Sequence, residues 1–169
     1  MASRSLIGTL ASLFRPAQRR VTAGERDGSE PDDTRTVRVP PPAPGALRIA
    51  YAPQPDGDPD AGEIVWTWVP YEENDGRGKD RPVLVIATAG ADRVYAVRLT
   101  SKAHDGDRDY LSIGSGAWDS EGRPSWVDIE QLYSVHARGM RREACALDVD
   151  RFVRVAAALR ARYGWNAGN

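Results

Sequence analysis

The chain has 169 residues, 41% of them hydrophobic, enough for one core of ordinary size with sequence to spare. A formal charge of −1 speaks against a protein that grips polyanions by bulk charge, so any nucleic-acid site must rest on a local group of cations. The single Cys145 rules out an internal disulfide. With only His104 and His136 beside it, a structural zinc site, which takes about four ligands, is short of donors.

Seven arginines against five acids give residues 1–46 a net charge of +2 and leave the remainder at −3. Within residues 4–15, Leu6, Leu10, Leu13 and Phe14 fall at the spacing of one helical face, and Pro16 limits its extension. This stretch reads either as a frayed helix on a tail or as a surface for a membrane or a partner. It is too interrupted for a secretory peptide, and no apolar run approaches the roughly 20 residues needed to span a bilayer, so a cytoplasmic location is expected. From Pro16 to Ala46 the composition is that of a linker, stiffened by Pro40 to Pro44. Residues 1–46 are therefore expected to be a disordered extension, dispensable for folding, ahead of one domain over 47–165.

From Leu47 onward, short apolar runs alternate with turn signals. Leu47 to Tyr51 reads as an edge strand, and Glu63 to Val69 as a strand with Ile64, Trp66 and Trp68 on one face. Pro82 to Ala87 is continuously apolar, as a central strand buried on both faces requires. Val94 to Leu99 and Tyr110 to Ile113 follow, and Trp126 to Val135 reads as one longer strand. Six or seven strands at this spacing predict a small barrel or curled sheet. A helix closes the chain. Asp148 is its N-cap, Phe152, Ala156, Leu159 and Tyr163 recur on one face, and Gly164 stands at the C-terminal stop.

Three segments carry residue types suited to phosphate chemistry. The first is Gly62-Glu63-Ile64-Val65-Trp66, continued after a polar loop by Arg81-Pro82-Val83-Leu84-Val85-Ile86. The second is Leu99-Thr100-Ser101-Lys102. The third is Ile129-Glu130-Gln131-Leu132-Tyr133-Ser134-Val135. In this order and spacing they resemble the MazF/PemK family of toxins from bacterial toxin–antitoxin modules, over about residues 61–163.

The resemblance implies a mainly β, SH3-like small barrel with a C-terminal helix, assembled as a homodimer. It implies a cognate antitoxin, with which the toxin binds DNA, and an endoribonuclease that needs no metal or cofactor. Single-stranded RNA would be cut by attack of a ribose 2′-hydroxyl on the adjacent phosphate. The family's catalytic arginine falls on Arg81 and its threonine on Thr100. Its RNA groove falls on Glu72, Arg77 and Lys79 of the loop Tyr71 to Asp80, on Ser101 and Lys102, and on Gln131. Tyr133 stands where many members carry arginine, and His136 where aspartate is common. One basic contact is thus missing, and Tyr133 offers a ring for base stacking instead.

The chemistry of these residues agrees with such roles. Attack on a phosphodiester builds charge on nonbridging oxygens, and fixed donors aimed there stabilise it. A guanidinium is a rigid, permanently charged fork matched to phosphate, and a threonine hydroxyl adds one hydrogen bond. His104, just past Thr100, is a candidate acid or base. Against this stands a plainer reading, in which Arg81 pairs with Asp80 or Glu72, Thr100 caps a turn and His104 is a loop residue. A noncatalytic barrel that binds RNA or a peptide is the corresponding alternative. Trp118 reads as a core residue or a stacking platform.

Overall fold

The computed structural model describes residues 33–168; the amphipathic stretch Leu6 to Phe14 and the first half of the linker lie outside them. Ten strands and one helix follow in the order β1 (Val37–Val39), β2 (Arg48–Ile49), β3 (Glu63–Pro70), β4 (Gly78–Thr88), β5 (Arg93–Thr100), β6 (Tyr110–Gly114), β7 (Ser125–Asp128), β8 (Leu132–His136), β9 (Met140–Ala146), α1 (Val149–Tyr163) and β10 (Asn166–Ala167). The main sheet runs β1-β8-β5-β4-β3-β9, with the β6–β7 hairpin attached to the outer end of β5. A hydrogen bond of 2.9 Å between the Thr36 and Thr67 hydroxyls joins the β1 end to β3, so the sheet curls into a small barrel. The expected fold class is the one found.

Strand β4 lies between β3 and β5, and its alternating side chains feed two cores. Val83 and Val85 face inward with Val65, Val69, Val94, Ala96, Tyr133 and Val135. Leu84 and Ile86 face outward, under Phe152, Val155, Ala156 and Leu159 of α1. The apolar run of this strand is thus buried on both sides. Helix α1 keeps its expected limits. Asp148 accepts the Arg151 amide, and Gly164 ends the helix in the left-handed region at φ 69°. Among the described residues no helix is long and apolar enough to cross a membrane.

Strands β9 and β10 have no counterpart in the sequence expectation, and three further elements differ from it. Strand β4 begins at Gly78, not at Pro82, because the hairpin with β3 keeps pairing down to Pro70 opposite Gly78. The stretch Trp126 to Val135 is two strands, broken where Asp128 Oδ1 accepts the amides of Glu130 and Gln131 and turns the chain. Strand β1 forms inside the linker-like stretch, antiparallel to β8. Arg93 fastens it by donating to the carbonyls of Asp33 and Arg35, and Trp165 Nε1 donates to the Pro42 carbonyl. A boundary at residue 46 runs through these contacts.

Candidate active site

Arg81 faces Thr67 across the β3–β4 pair, and Val83 faces Arg98 across the β4–β5 pair. Carried two residues outward, the second register brings Arg81 level with Thr100. Because strand side chains alternate, Arg81, Arg98 and Thr100 share the inner face of the sheet, at the end where the valine core gives out. Register, rather than sequence proximity, assembles the two halves of the predicted catalytic pair.

Arg81 is half-buried, and its Nε is buried without a hydrogen-bond partner among the described residues. Burial and then the neighbouring Arg98 guanidinium push its pKa below the usual arginine value. The acids expected to neutralise it are engaged elsewhere. Asp80 pairs with Arg141, and Glu72 pairs with Arg98 at 2.8 Å. The plainer reading of Arg81 therefore does not hold. That of Thr100 is realised, since its Oγ1 accepts the Lys102 amide at 3.2 Å, although the hydroxyl can still donate.

Arg98 is the residue that the sequence reading missed. Its Nε donates to Asp128 Oδ2 at 2.8 Å, and its Nη2 donates to Glu72 Oε1 at 2.8 Å and to the Tyr110 hydroxyl at 3.3 Å. Burial works against its charge, but the Glu72 hydrogen bond and the surrounding negative groups outweigh burial and raise its pKa. The hydrogen bond from Arg98 in turn holds the Glu72 carboxyl below its usual range. An arginine inside the apolar run Val94 to Leu99 was the available signal, because a charge placed there must be paired or functional.

The other predicted residues gather unevenly around this centre. Lys79 is exposed, and the charge of Arg81, then burial, lowers its pKa. Gln131 accepts the Tyr133 hydroxyl at 2.8 Å and contributes to lowering the Glu72 pKa. Tyr133 is only 1% exposed, so in this conformation its ring offers no stacking face. His104 stacks on Tyr110 at 3.5 Å, with Nδ1 turned to Asp107, and so reaches the cluster through the tyrosine. Ser101 and Lys102 are exposed just beyond β5.

Arg77 is also exposed but forms an ion pair with Asp75. His136 is buried, and its Nδ1 accepts the Arg138 amide. Trp118 is a core residue whose Nε1 donates to Ser125. The loop itself is shorter than expected, Tyr71 to Arg77. Gly78 is required by packing, since a Cβ there would sit 2.4 Å from the Val69 carbonyl and against the Trp68 ring.

A cleft of about 590 Å³ opens beside the cluster, walled by Arg38, Trp68, Glu72, Gln131 and Tyr133. Arg38, from β1, adds a cation close enough to lower the Glu72 pKa further. Arg38, Lys79, Arg81 and Arg98 thus face Glu72 and Asp128, a local excess of positive charge that the chain's net −1 conceals. A larger cleft of about 760 Å³, between the Pro53–Pro59 loop and β9, contains none of the predicted residues.

Residues 60–162 match the family model described as PemK-like, MazF-like toxin of type II toxin–antitoxin system. The chain belongs to this family. Two crystal structures of MazF from Deinococcus radiodurans are similar to it. The one in complex with MazE is 26% identical, covers 63% of this chain and 96% of that one, and has a TM-score of 0.45. The other is 24% identical, with coverage of 63% and 97% and a TM-score of 0.47. The Mycobacterium tuberculosis toxin MazF-mt6 is 15% identical over 60% of this chain and 98% of that one, with a TM-score of 0.44. No curated protein matches the chain. The family match covers the clustered residues of β4, β5 and the β7–β8 turn, but not β1.

Proposed function

We propose that this member of the toxin family is a metal-independent endoribonuclease acting on single-stranded RNA, with Arg81 and Thr100 as its catalytic residues. The observation that carries the reading is the state of Arg81. It is half-buried beside a second arginine, its nearby acids are committed elsewhere, and its Nε has no partner among the described residues. A folded protein retains so costly a group where an incoming anion completes it.

In the reaction, the 2′-hydroxyl oxygen attacks the adjacent phosphorus while its proton passes to a base. The P–O5′ bond then breaks, the 5′ oxygen takes up a proton, and a 2′,3′-cyclic phosphate remains. Arg81 stabilises the charge that grows on the nonbridging oxygens, and the Thr100 hydroxyl adds a neutral donor. His104 is the imidazole joined to the cluster, and a flattened pH–rate profile in His104→Gln would assign it the proton transfer. Lys79, Ser101, Lys102 and Gln131 line the path of the strand. The chain acts in the cytoplasm, with an antitoxin as its partner, as in the MazE–MazF complex from Deinococcus radiodurans.

The test is incubation of the purified full chain with an unstructured RNA in EDTA, with the product ends analysed. Cyclic phosphate and 5′-hydroxyl ends are expected. Intact RNA at micromolar protein would leave the noncatalytic reading, a barrel that binds RNA or a peptide, which tyrosine rather than arginine at position 133 favours.

A further inference from the structure

The two sides of the Arg98 guanidinium are held in different ways. On one side, Nε donates to Asp128, a carboxylate 1% exposed that the Glu130 and Gln131 amides fix in place. On the other, Nη2 donates to Glu72, whose side chain is 60% exposed on the loop between β3 and β4. The first contact is built into the core. The second lies at the surface, on a segment outside any strand. From this asymmetry we infer that Arg98 is a second phosphate-contacting cation of the groove, and that Glu72 is an internal competitor occupying it until an RNA phosphate takes its place. The inference rests on the RNA-cleaving reading of the site.

Charge balance supports the exchange. With Arg38 and Lys79 beside them, Arg81 and Arg98 face Asp128 and Glu72, which leaves the groove with a surplus of positive charge. A phosphodiester carries one negative charge, so replacing Glu72 by phosphate restores the same sum. Swinging Glu72 into water costs little, because its carboxylate is already more than half hydrated. Keeping it in place would set two anions side by side in a partly desolvated groove, where repulsion is strong. A guanidinium anchored through Nε still presents its Nη donors to a second oxyanion, in the forked geometry that phosphate accepts. Arg81, beside it, offers the same ligand an Nε that is unpartnered among the described residues.

The test uses the full chain in EDTA, with a short unstructured single-stranded RNA followed by fluorescence anisotropy and by cleavage. Glu72→Gln, an exposed neutral replacement, should lower Kd about threefold at low salt, the scale of one exposed ion pair, with KM falling in step. Arg98→Met/Asp128→Asn removes the buried pair together, so no uncompensated charge is left in the core. In that background binding should weaken about tenfold, as expected for a lost charge-assisted hydrogen bond. The slope of log affinity against log salt should shrink by about 0.7, the share of one phosphate contact on a single strand. Glu72→Gln added to this pair should bring no further gain.

An unchanged or weaker Kd in Glu72→Gln overturns the proposal, and so does an equal gain in both backgrounds. Should the double variant fail to fold, Glu72→Gln alone still decides. A wild-type chain that binds RNA without cutting it defeats the nuclease reading only, and the Glu72→Gln comparison stands. A chain that does not bind RNA defeats both.

Discussion

Arg81 keeps its charge against two local costs, burial and the Arg98 guanidinium. Replacement by an uncharged chain of similar length should therefore separate stability from activity. Arg81→Met is expected to raise the melting temperature by a few degrees, the effect of about 1 kcal/mol gained, while cleavage falls by about 10²–10³. Thermal scans beside an RNA gel check both halves, and cleavage within tenfold of wild type would remove Arg81 from the mechanism. Thr100→Ala should lose less, since a neutral hydrogen bond contributes less than a charged fork.

Glu63 carries a pH signature of the opposite sign to that of Glu72. Burial, against the Asp60 amide that Glu63 accepts, raises its folded pKa above the ordinary 4.5. The stability that this gives is present below pH 4.5 and is lost as pH rises through the folded value. At pH 7 the charged form is a liability, so Glu63→Gln should melt higher than wild type there. The gain should vanish near pH 4. A gain that persisted at pH 4 would contradict this account.

At the level of elements, legibility in the sequence followed the completeness of each local signal. Strands β3 and β4 and helix α1 announce themselves through apolar periodicity and caps, because each buries most of one face or both. Strand β9, Met140 to Ala146, pairs with β3 alone at the sheet edge, and its charged sequence gives no alternation to follow. Strand β1 was missed for another reason. Thr36-Val37-Arg38-Val39 holds three β-branched residues in four places, without strict alternation, and it sits within a proline-rich composition that reads as a linker. The site was half readable. Arg81 and Thr100 could be placed from motifs, whereas Arg98 stands out in sequence only as a charge inside an apolar run, and its place near Arg81 emerges once β4 and β5 are set in register.

This element-scale view yields a prediction on truncation. A chain beginning at Asp33 should melt within a few degrees of the full protein. One beginning at Leu47 loses the β1–β8 pairing, the Thr36–Thr67 hydrogen bond and the acceptor for Trp165, and should melt at least several degrees lower. Equal melting of the two would show that residues 33–46 are ornamental.

Considered whole, the molecule leaves apolar surface that its own core does not use. Trp118 and Trp126 are buried, but Trp66 and Trp68 are only partly covered, and Val149 and Val153 are exposed one turn apart on α1. We expect a homodimer that covers part of this surface, with sedimentation at tens of micromolar giving twice the 18.5 kDa chain mass. A monomer at that concentration would refute it.

The family match spans residues 60–162, and the segments flanking it are tied to each other. Gly45 N–H donates to the Gly164 carbonyl, β2 pairs with β10, and Trp165 reaches Pro42. Beyond β1, which β8 holds, the proline-rich stretch and the C-terminal segment hold each other, so each supplies a reason for keeping its counterpart. In the lineage that produced this chain, the two flanks should have been inherited as one trait. Relatives that retain a Trp165 equivalent should also retain the proline-rich stretch before the barrel, and those that have shed one should have shed both.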